Sequence, residues 1–489
     1  MSGSERHEPA LLNRTHLKFL YHWAVALSFM KPNESRMVAV DESTTVTSVG
    51  PAACVVGMGY IGLPTAALLA SKNQVVVGVD LNPVVVDTIN QGQIHIVEPE
   101  LEVLVSHVTS HGFLHATTRP SSAPVFMICV PTPLGNDQSP DMHYVDSALA
   151  SIAPVLKPGD LVIIESSSPV GTTRKAAQQL HTLRPDLHFP GDESKDDEAG
   201  SPNIFLAYCP ERALPGKLLP EITHNDRVIG GLTEACSQKA KEFYGLFVEG
   251  ECFLTTAETA ELCKLTENSF RDVNIAFANE LSMVCDRLGV NVWELIRLAN
   301  RHPRVNILQP GPGVGGHCIA VDPWFIVHSA PSETALIQAA RSVNENKTWW
   351  VVTKILERIE TRTTGSWGAT RAKTKAASSR LQEPAVVALL GLSFKADIDD
   401  LRESPAIEIA LELIKLGKIR LWVVEPNIVD LPDCLKGKAE LKDLEMAYKD
   451  ADLNVLLVDH WQFKHAQPEE HKVLDFKGLW HLGRTHPAY

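Results

Sequence analysis

A chain of 489 residues is too long for one core and leaves room for about three units of roughly 150 residues each. Its 45 basic residues stand against 59 acidic ones, a formal charge of -14, which argues against nucleic acid or an anionic membrane as a partner, since both need a net basic surface. Nine cysteines occur singly with no C-x-x-C pair, a pattern that suits a reducing cytoplasm and offers no zinc or other metal site.

Residues 1–50 read as an extension ahead of the first strand signal. Their apolar run, 17–30, is too short to span a bilayer, is interrupted by His22 and lacks a clear small-residue cleavage site. Residues 51–56 form a short apolar, β-rich run that stops at Gly57-Met58-Gly59-Tyr60-Ile61-Gly62, and 63–71 predict a helix. A second apolar run, 75–79, ends in Asp80. Strand, glycine turn, helix N-terminus, strand and acid, in that order, make a dinucleotide-binding fingerprint. The glycines let a pyrophosphate approach the backbone, where free N–H groups and the helix dipole favour negative charge. Asp80 is suited to accept from both ribose hydroxyls and to repel a 2′-phosphate, so the expected cofactor is NAD rather than NADP.

Runs 125–130 and 161–164 predict buried strands. They lead into Pro131-Thr132-Pro133 and into a hydroxyl-rich turn from Glu165 to Thr173, at the strand ends where open α/β sheets bind ligands. Thr132 and Thr173 are therefore candidates for contacts on the nicotinamide side, with plain turn and N-cap chemistry as the competing reading. Residues 191–202 are acidic with Gly, Ser and Pro, and read as a surface insertion. Beyond them an irregular segment sets Glu211 beside Arg212, where a solvated ion pair is the alternative.

From 256 to 298 the period is helical, with few breakers until Gly289. Lys264, Asn268 and Arg271 are spaced four and three apart and share one face. Leu262, Leu265, Phe270, Ile275 and Phe277 make the surroundings apolar, so this polar stripe is expected to face a cleft or a partner. Arg301-His302-Pro303-Arg304 then leads into residues 311–323, whose four glycines and two prolines forbid a regular helix and shape a loop against which a ligand can lie. Cys318, near its end, is a candidate nucleophile, and Asp322 shares its face if the chain turns helical there. A buried, inert cysteine is the competing reading.

After residue 334 a long helix carries Gln338, Asn344 and Asn346 towards Trp349 and Trp350 as a connector. Residues 363–383, rich in Ser, Ala, Thr and Lys, read as a second insertion. The α/β rhythm then returns, with strands at 385–390, 421–424, 453–458 and 473–475 and a helix at 405–416. Lys395, at a strand end, and Arg402, before a helix start, are suited to phosphate. The expected fold class is α/β: two Rossmann-like doubly wound domains, 51–253 and 351–489, joined by a central helical segment, 254–350.

Taken together, Ala207-Tyr208-Cys209-Pro210-Glu211-Arg212, Asn225-Asp226-Arg227-Val228-Ile229-Gly230-Gly231, the run from Lys264 to Asn274, Arg301-His302-Pro303-Arg304 and the cysteine loop through Phe325 carry a resemblance. Over residues 52–485 the chain resembles the UDP-glucose/GDP-mannose dehydrogenase family, nucleotide-sugar 6-dehydrogenases that oxidise a primary alcohol to a carboxylate in two NAD-dependent steps. The resemblance implies Cys318 as nucleophile, Lys264 as proton donor and acceptor with Asn268 beside it, and Asp322 or Glu211 as activator of the hydrolytic water. Sugar-nucleotide contacts are implied for Arg212, Ala213, Lys264, Asn268, Arg271, His302, Arg304, Gly315, Phe394 and Lys395. NAD contacts are implied for Tyr60, Ile61, Asp80, Thr132, Thr173 and Arg402, beside Gly57, Gly59 and Gly62. It also implies a UDP-sugar substrate, a homodimer or larger homo-oligomer joined through the central helices, Arg304 reaching a neighbouring subunit, and a role in making surface glycan precursors. Relatives that act on UDP-N-acetylglucosamine more often end the cysteine loop in Pro-Ile-Asp-Pro-Phe-Tyr than in Ala320-Val321-Asp322-Pro323-Trp324-Phe325, so the implied sugar is N-acetylmannosamine. Relatives usually include a threonine at Ser166-Ser167-Ser168. Serine keeps the hydroxyl but loses the methyl that fixes its rotamer.

Overall fold

The structure, a computed structural model, describes residues 50–191, 203–363, 384–465 and 469–480. Apart from their edge residues, the extension and both insertions expected from the sequence lie outside these. Ala53–Val56 (β1), Val125–Ile128 (β4) and Leu161–Ile164 (β5) are buried at every position, the continuous apolar run required of strands covered on both faces. With Val76–Val79 (β2), Leu114–Thr117 (β3), Phe205–Tyr208 (β6), Arg227–Gly231 (β7) and Cys252–Thr256 (β8) they build one sheet in the order β3-β2-β1-β4-β5-β6-β7-β8. All neighbours are parallel except β6 and β7. The strand order reverses between β1 and β4, which places a ligand crevice at their carboxyl ends.

A second sheet, entirely parallel, runs β11-β10-β9-β12-β13. Its strands are Ala385–Leu390 (β9), Ile419–Val424 (β10), Glu440–Leu441 (β11), Leu453–Leu456 (β12) and Val473–Asp475 (β13). The two doubly wound sheets expected from the sequence are therefore present, with helices between them.

Six helices position the site: Gly62–Ser71 (α1), Thr172–Leu183 (α2), Ala257–Leu288 (α3), Asp322–Ser329 (α4), Ala335–Thr363 (α5) and Pro405–Leu416 (α6). The helical stretch read from 256 to 298 is in fact two helices. Gly289, at φ +68°, ends α3, and Asn291 caps the next helix, Val292–Ala299, by accepting from the N–H groups of Trp293 and Glu294. Helices α3 and α5 pack through a buried polar ladder. Arg341 Nη1 and Asn344 Nδ2 both donate to Asp272 Oδ1 at 2.8 Å, Asn279 Nδ2 donates to Asn344 Oδ1 at 2.9 Å, and Lys347 Nζ donates to Ser282 Oγ at 2.6 Å. Such buried, mutually oriented polar groups fix the register of two helices more sharply than apolar packing does. The far end of α5 contributes Val351, Val352, Ile355 and Ile359 to the core of the second sheet, so one rigid element joins the central helices to that domain. No helix among the described residues is long and apolar enough to cross a membrane, and the nine cysteines are all free.

Candidate functional site

At the carboxyl end of β1 the three fingerprint glycines divide three tasks. Gly57 takes φ +94° in the turn, and a Cβ on Gly62 would collide with the Gly57 carbonyl, so the third glycine permits α1 to pack closely. Gly59 has nothing within 4 Å of where its Cβ would be, which leaves the backbone open to a pyrophosphate. Asp80, just past β2, accepts from Met58 N at 3.2 Å and from Asn82 N at 2.9 Å, tying the turn to the strand edge. These residues fit NAD.

Tyr60 and Ile61 follow in the turn, both half-buried. The Arg402 guanidinium, from the second domain, lies 5.4 Å from the Tyr60 ring centroid, and Asp400 holds it at 2.6 and 2.8 Å. Burial, then Asp399 and Asp400, pushes the Tyr60 phenol above its ordinary pKa. Thr132 is half-buried beyond β4. Thr173 is fully buried at the start of α2, and its N–H and hydroxyl both donate to Glu261 Oε1, at 2.8 and 2.7 Å. The hydroxyl expected on the nicotinamide side is thus turned onto α3. Glu261, which also accepts from Gly171 N at 2.6 Å, escaped the sequence reading. Its signal was an acid one helical turn before Lys264.

The cysteine loop starts where Gly311 N donates to Asn279 Oδ1 at 2.9 Å and then lies against the second domain. A Cβ on Gly315 would collide with the Glu403 carbonyl, and one on Gly316, at φ +85°, would come within 2.9 Å of the Phe394 ring. The Cys318 carbonyl accepts from Val321 N at 3.1 Å and Asp322 N at 2.9 Å, so the four-residue spacing does become a helical turn entering α4. Cys318 is exposed as a residue, but its thiol is ringed by protein. This desolvation raises the thiol pKa, Lys264 opposes it, Asp322 adds to it, and Arg271 and Arg402 pull the other way.

Asp322 is fully buried. Its Oδ2 accepts from Asn268 Nδ2 at 2.6 Å and from Ser167 Oγ at 3.5 Å, while Oδ1 has no protein partner. Burial pushes its pKa up to about 6, against the pull of Lys264, Asn268 and Ser167. Ser167 was singled out only through its serine run. Lys264 Nζ donates to the Glu211 backbone carbonyl at 2.7 Å.

The Glu211 carboxylate is fully engaged. One oxygen accepts from Arg212 N and Ala213 N at 2.6 and 2.8 Å, and the other pairs with Arg227. Arg227 also reaches Glu165 at 3.3 Å and covers the Tyr244 ring at 4.6 Å, all of them buried. Neither Arg227, which opens β7, nor Glu165, which follows β5, was predicted as a site residue. Arg212 pairs with Glu267 at 2.8 Å. Arg271 and Lys395 approach from α3 and the second domain, and neither forms a salt bridge among the described residues. Burial, and after it Arg271, lowers the Lys395 pKa. His302 and Arg304 are exposed, with Arg304 N donating to His302 Nδ1 at 3.3 Å.

Three models of the UDP-glucose/GDP-mannose dehydrogenase family match the chain: the NAD binding domain over residues 52–248, the central domain over 258–346 and the UDP binding domain over 388–481. Among curated proteins, the UDP-N-acetyl-D-mannosamine dehydrogenase of Yersinia pestis is 54% identical over 430 residues, covering 87% of this chain and 98% of its own. The NDP-N-acetyl-D-galactosaminuronic acid dehydrogenase of Ralstonia nicotianae is 53% identical over 433 residues, covering 88% and 96%. Among solved structures, UDP-D-ManNAc dehydrogenase from Pyrococcus horikoshii superposes with a TM-score of 0.75 at 36% identity, covering 87% of this chain and 95% of that one.

Proposed function

Because the chain belongs to the UDP-glucose/GDP-mannose dehydrogenase family of NAD-dependent nucleotide-sugar dehydrogenases, we propose that it oxidises the C6 alcohol of UDP-N-acetyl-D-mannosamine to the carboxylate of UDP-N-acetyl-D-mannosaminuronate, with two NAD+. The observation that carries this reading is an exposed cysteine whose thiol feels both Lys264 and the buried carboxylate of Asp322, where Arg402 of the second α/β domain meets Tyr60 of the glycine turn. The 54% identity to the Yersinia pestis relative supports the choice of sugar.

NAD, when bound on the glycine turn, supplies the hydride acceptor for both oxidations. Lys264, when neutral, takes the C6 hydroxyl proton, and its ammonium together with the Asn268 amide faces the oxygen of each tetrahedral species, a contribution of about 3 kcal/mol per donor. Cys318 adds as a thiolate to the aldehyde carbon, forming a C–S bond that keeps the half-oxidised sugar in place. Loss of the second hydride leaves a thioester. Asp322, as carboxylate, accepts a proton from water as the water oxygen attacks that carbon, and the C–S bond breaks to return the thiolate. One alcohol, one water and two NAD+ thereby give one carboxylate, two NADH and three protons.

Asp322 serves as the base rather than Glu211, because both oxygens of Glu211 are already engaged and one of Asp322's is not. Arg271 and Lys395, which form no salt bridge among the described residues, bind the diphosphate and offset the chain's net charge of -14 where the ligand enters. The exposed face of α3, with Leu262, Phe270 and Phe277, joins a second copy of the chain, and Arg304 contacts that subunit's site. The product enters surface polysaccharide synthesis.

A second reading, an N-acetylgalactosamine nucleotide as substrate, is favoured by the 53% identity to the Ralstonia relative. Initial rates at saturating NAD, measured in parallel with UDP-N-acetylmannosamine and its N-acetylglucosamine and N-acetylgalactosamine counterparts, separate these. We expect kcat/KM to favour the mannosamine nucleotide by about 10- to 100-fold. A higher value for either counterpart would overturn the choice of sugar.

A further inference from the structure

We propose that a buried histidine–glutamate pair, His460 with Glu425, is the positioning device that shapes the sugar-nucleotide loop Leu392-Ser393-Phe394-Lys395-Ala396-Asp397, which no glycine fingerprint holds. Glu425 follows β10 as Asp80 follows β2, but it is turned inward. Its Oε2 accepts from Leu392 N at 2.7 Å and Ser393 N at 3.1 Å, and its Oε1 accepts from Asn427 N and Nδ2 at 3.0 and 3.1 Å. In the first domain Asp80 takes one backbone N–H of the glycine turn and stays at the strand edge. In the second domain the equivalent acid is consumed by the loop itself.

His460, fully buried, backs the acid and fixes the far end of the loop. Its Nδ1 accepts from Asp397 N at 2.9 Å and from Asn427 Nδ2 at 3.1 Å, which leaves the proton on Nε2, 3.0 Å from Glu425 Oε2. The Asp397 backbone needs such an anchor, since it sits at φ +64°, a left-handed conformation in which a side chain costs energy. Ser393 Oγ closes the loop by donating to the Lys395 carbonyl at 2.7 Å. Between these two anchors the chain presents Phe394 to Gly316 and Lys395 to Arg271. Burial alone would raise the Glu425 pKa, but His460 and the N–H groups of Leu392 and Asn427 outweigh it and hold the carboxyl below its ordinary value. The pair therefore keeps a fixed donor and acceptor pattern while the loop meets its ligand.

The inference rests on the reading that Phe394 and Lys395 contact the sugar nucleotide, and the experiment separates the two. Steady-state kinetics would be run on full-length His460→Asn, His460→Gln, His460→Leu, Ser393→Ala and Lys395→Ala, with each substrate varied in turn. Asparagine reproduces the Nδ1 acceptor and glutamine only the Nε2 donor. KM for the sugar nucleotide should rise about tenfold or more in His460→Leu and His460→Gln. It should stay within about threefold of wild type in His460→Asn and rise severalfold in Ser393→Ala. KM for NAD should be unchanged throughout. Ser393→Ala deletes one hydroxyl and keeps the test open if the histidine variants do not fold. A rise in KM with Lys395→Ala but with neither His460→Leu nor Ser393→Ala would overturn the positioning role alone. Parallel rises in both KM values, or equal losses in His460→Asn and His460→Gln, would also overturn it. An unchanged KM in Lys395→Ala would reject the underlying reading instead.

Discussion

Cys318→Ala should lose oxidation of the sugar nucleotide to the uronate by at least about a thousandfold in kcat, the scale expected when a covalent nucleophile is removed. NAD binding, measured by titration, should be unaffected, because the glycine turn and Asp80 lie on the first sheet while Cys318 opens the turn into α4. The size of the effect follows from the chemistry. Without the C–S bond nothing holds the aldehyde for the second oxidation. Full turnover in this variant would remove Cys318 from the mechanism.

The second large effect concerns Asp322. Its carboxyl, raised to about 6 by complete burial, must be ionised to accept a proton from water, so kcat of the native enzyme should rise with pH through about 6. Asp322→Asn should lack that limb and lose about 100- to 10,000-fold in kcat. Its stability should move the other way. Between the ordinary value near 3.8 and about 6 the folded chain holds a proton that the unfolded chain releases, so the native protein loses stability as pH rises across that window and does not regain it above. An amide carries no such penalty and can still accept from Asn268. Thermal melting at pH 8 should therefore show Asp322→Asn at or above the wild-type Tm. A large fall in Tm alongside the lost activity would mean that Asp322 mainly holds the fold.

These two residues were visible in the sequence because their signal is local. Four glycines and two prolines around one thiol, with an acid four residues later, give the same picture in one dimension as in three. The fingerprint turn is local for the same reason, as is the Lys264, Asn268 and Arg271 face of α3. Within the helical period from 256 to 298, Gly289 stands out in the sequence as a breaker, and its positive φ is what ends α3. Strands β3, β7 and β8 and the short β11 carried too few apolar residues in a row to stand out alone, whereas the apolar run 204–209 around β6 was legible and was passed over. They are stabilised by pairing at long separation, such as Ala207 with Gly231. Glu211 looked like a candidate base from its neighbours in sequence. Its true partner, Arg227, is sixteen residues away and Glu165 is farther still, and burial is what brings them together. The same holds for Thr173 and Glu261, and for the His460–Glu425 pair, whose members are far apart in the chain.

The measurement that bears most directly on a thiol-held intermediate is a count of NADH formed per UDP-N-acetylmannosamine consumed to completion. We expect two, with the uronate as product and no free aldehyde. A ratio of one, as a single-step hydroxyacid-type dehydrogenase would give, would contradict it.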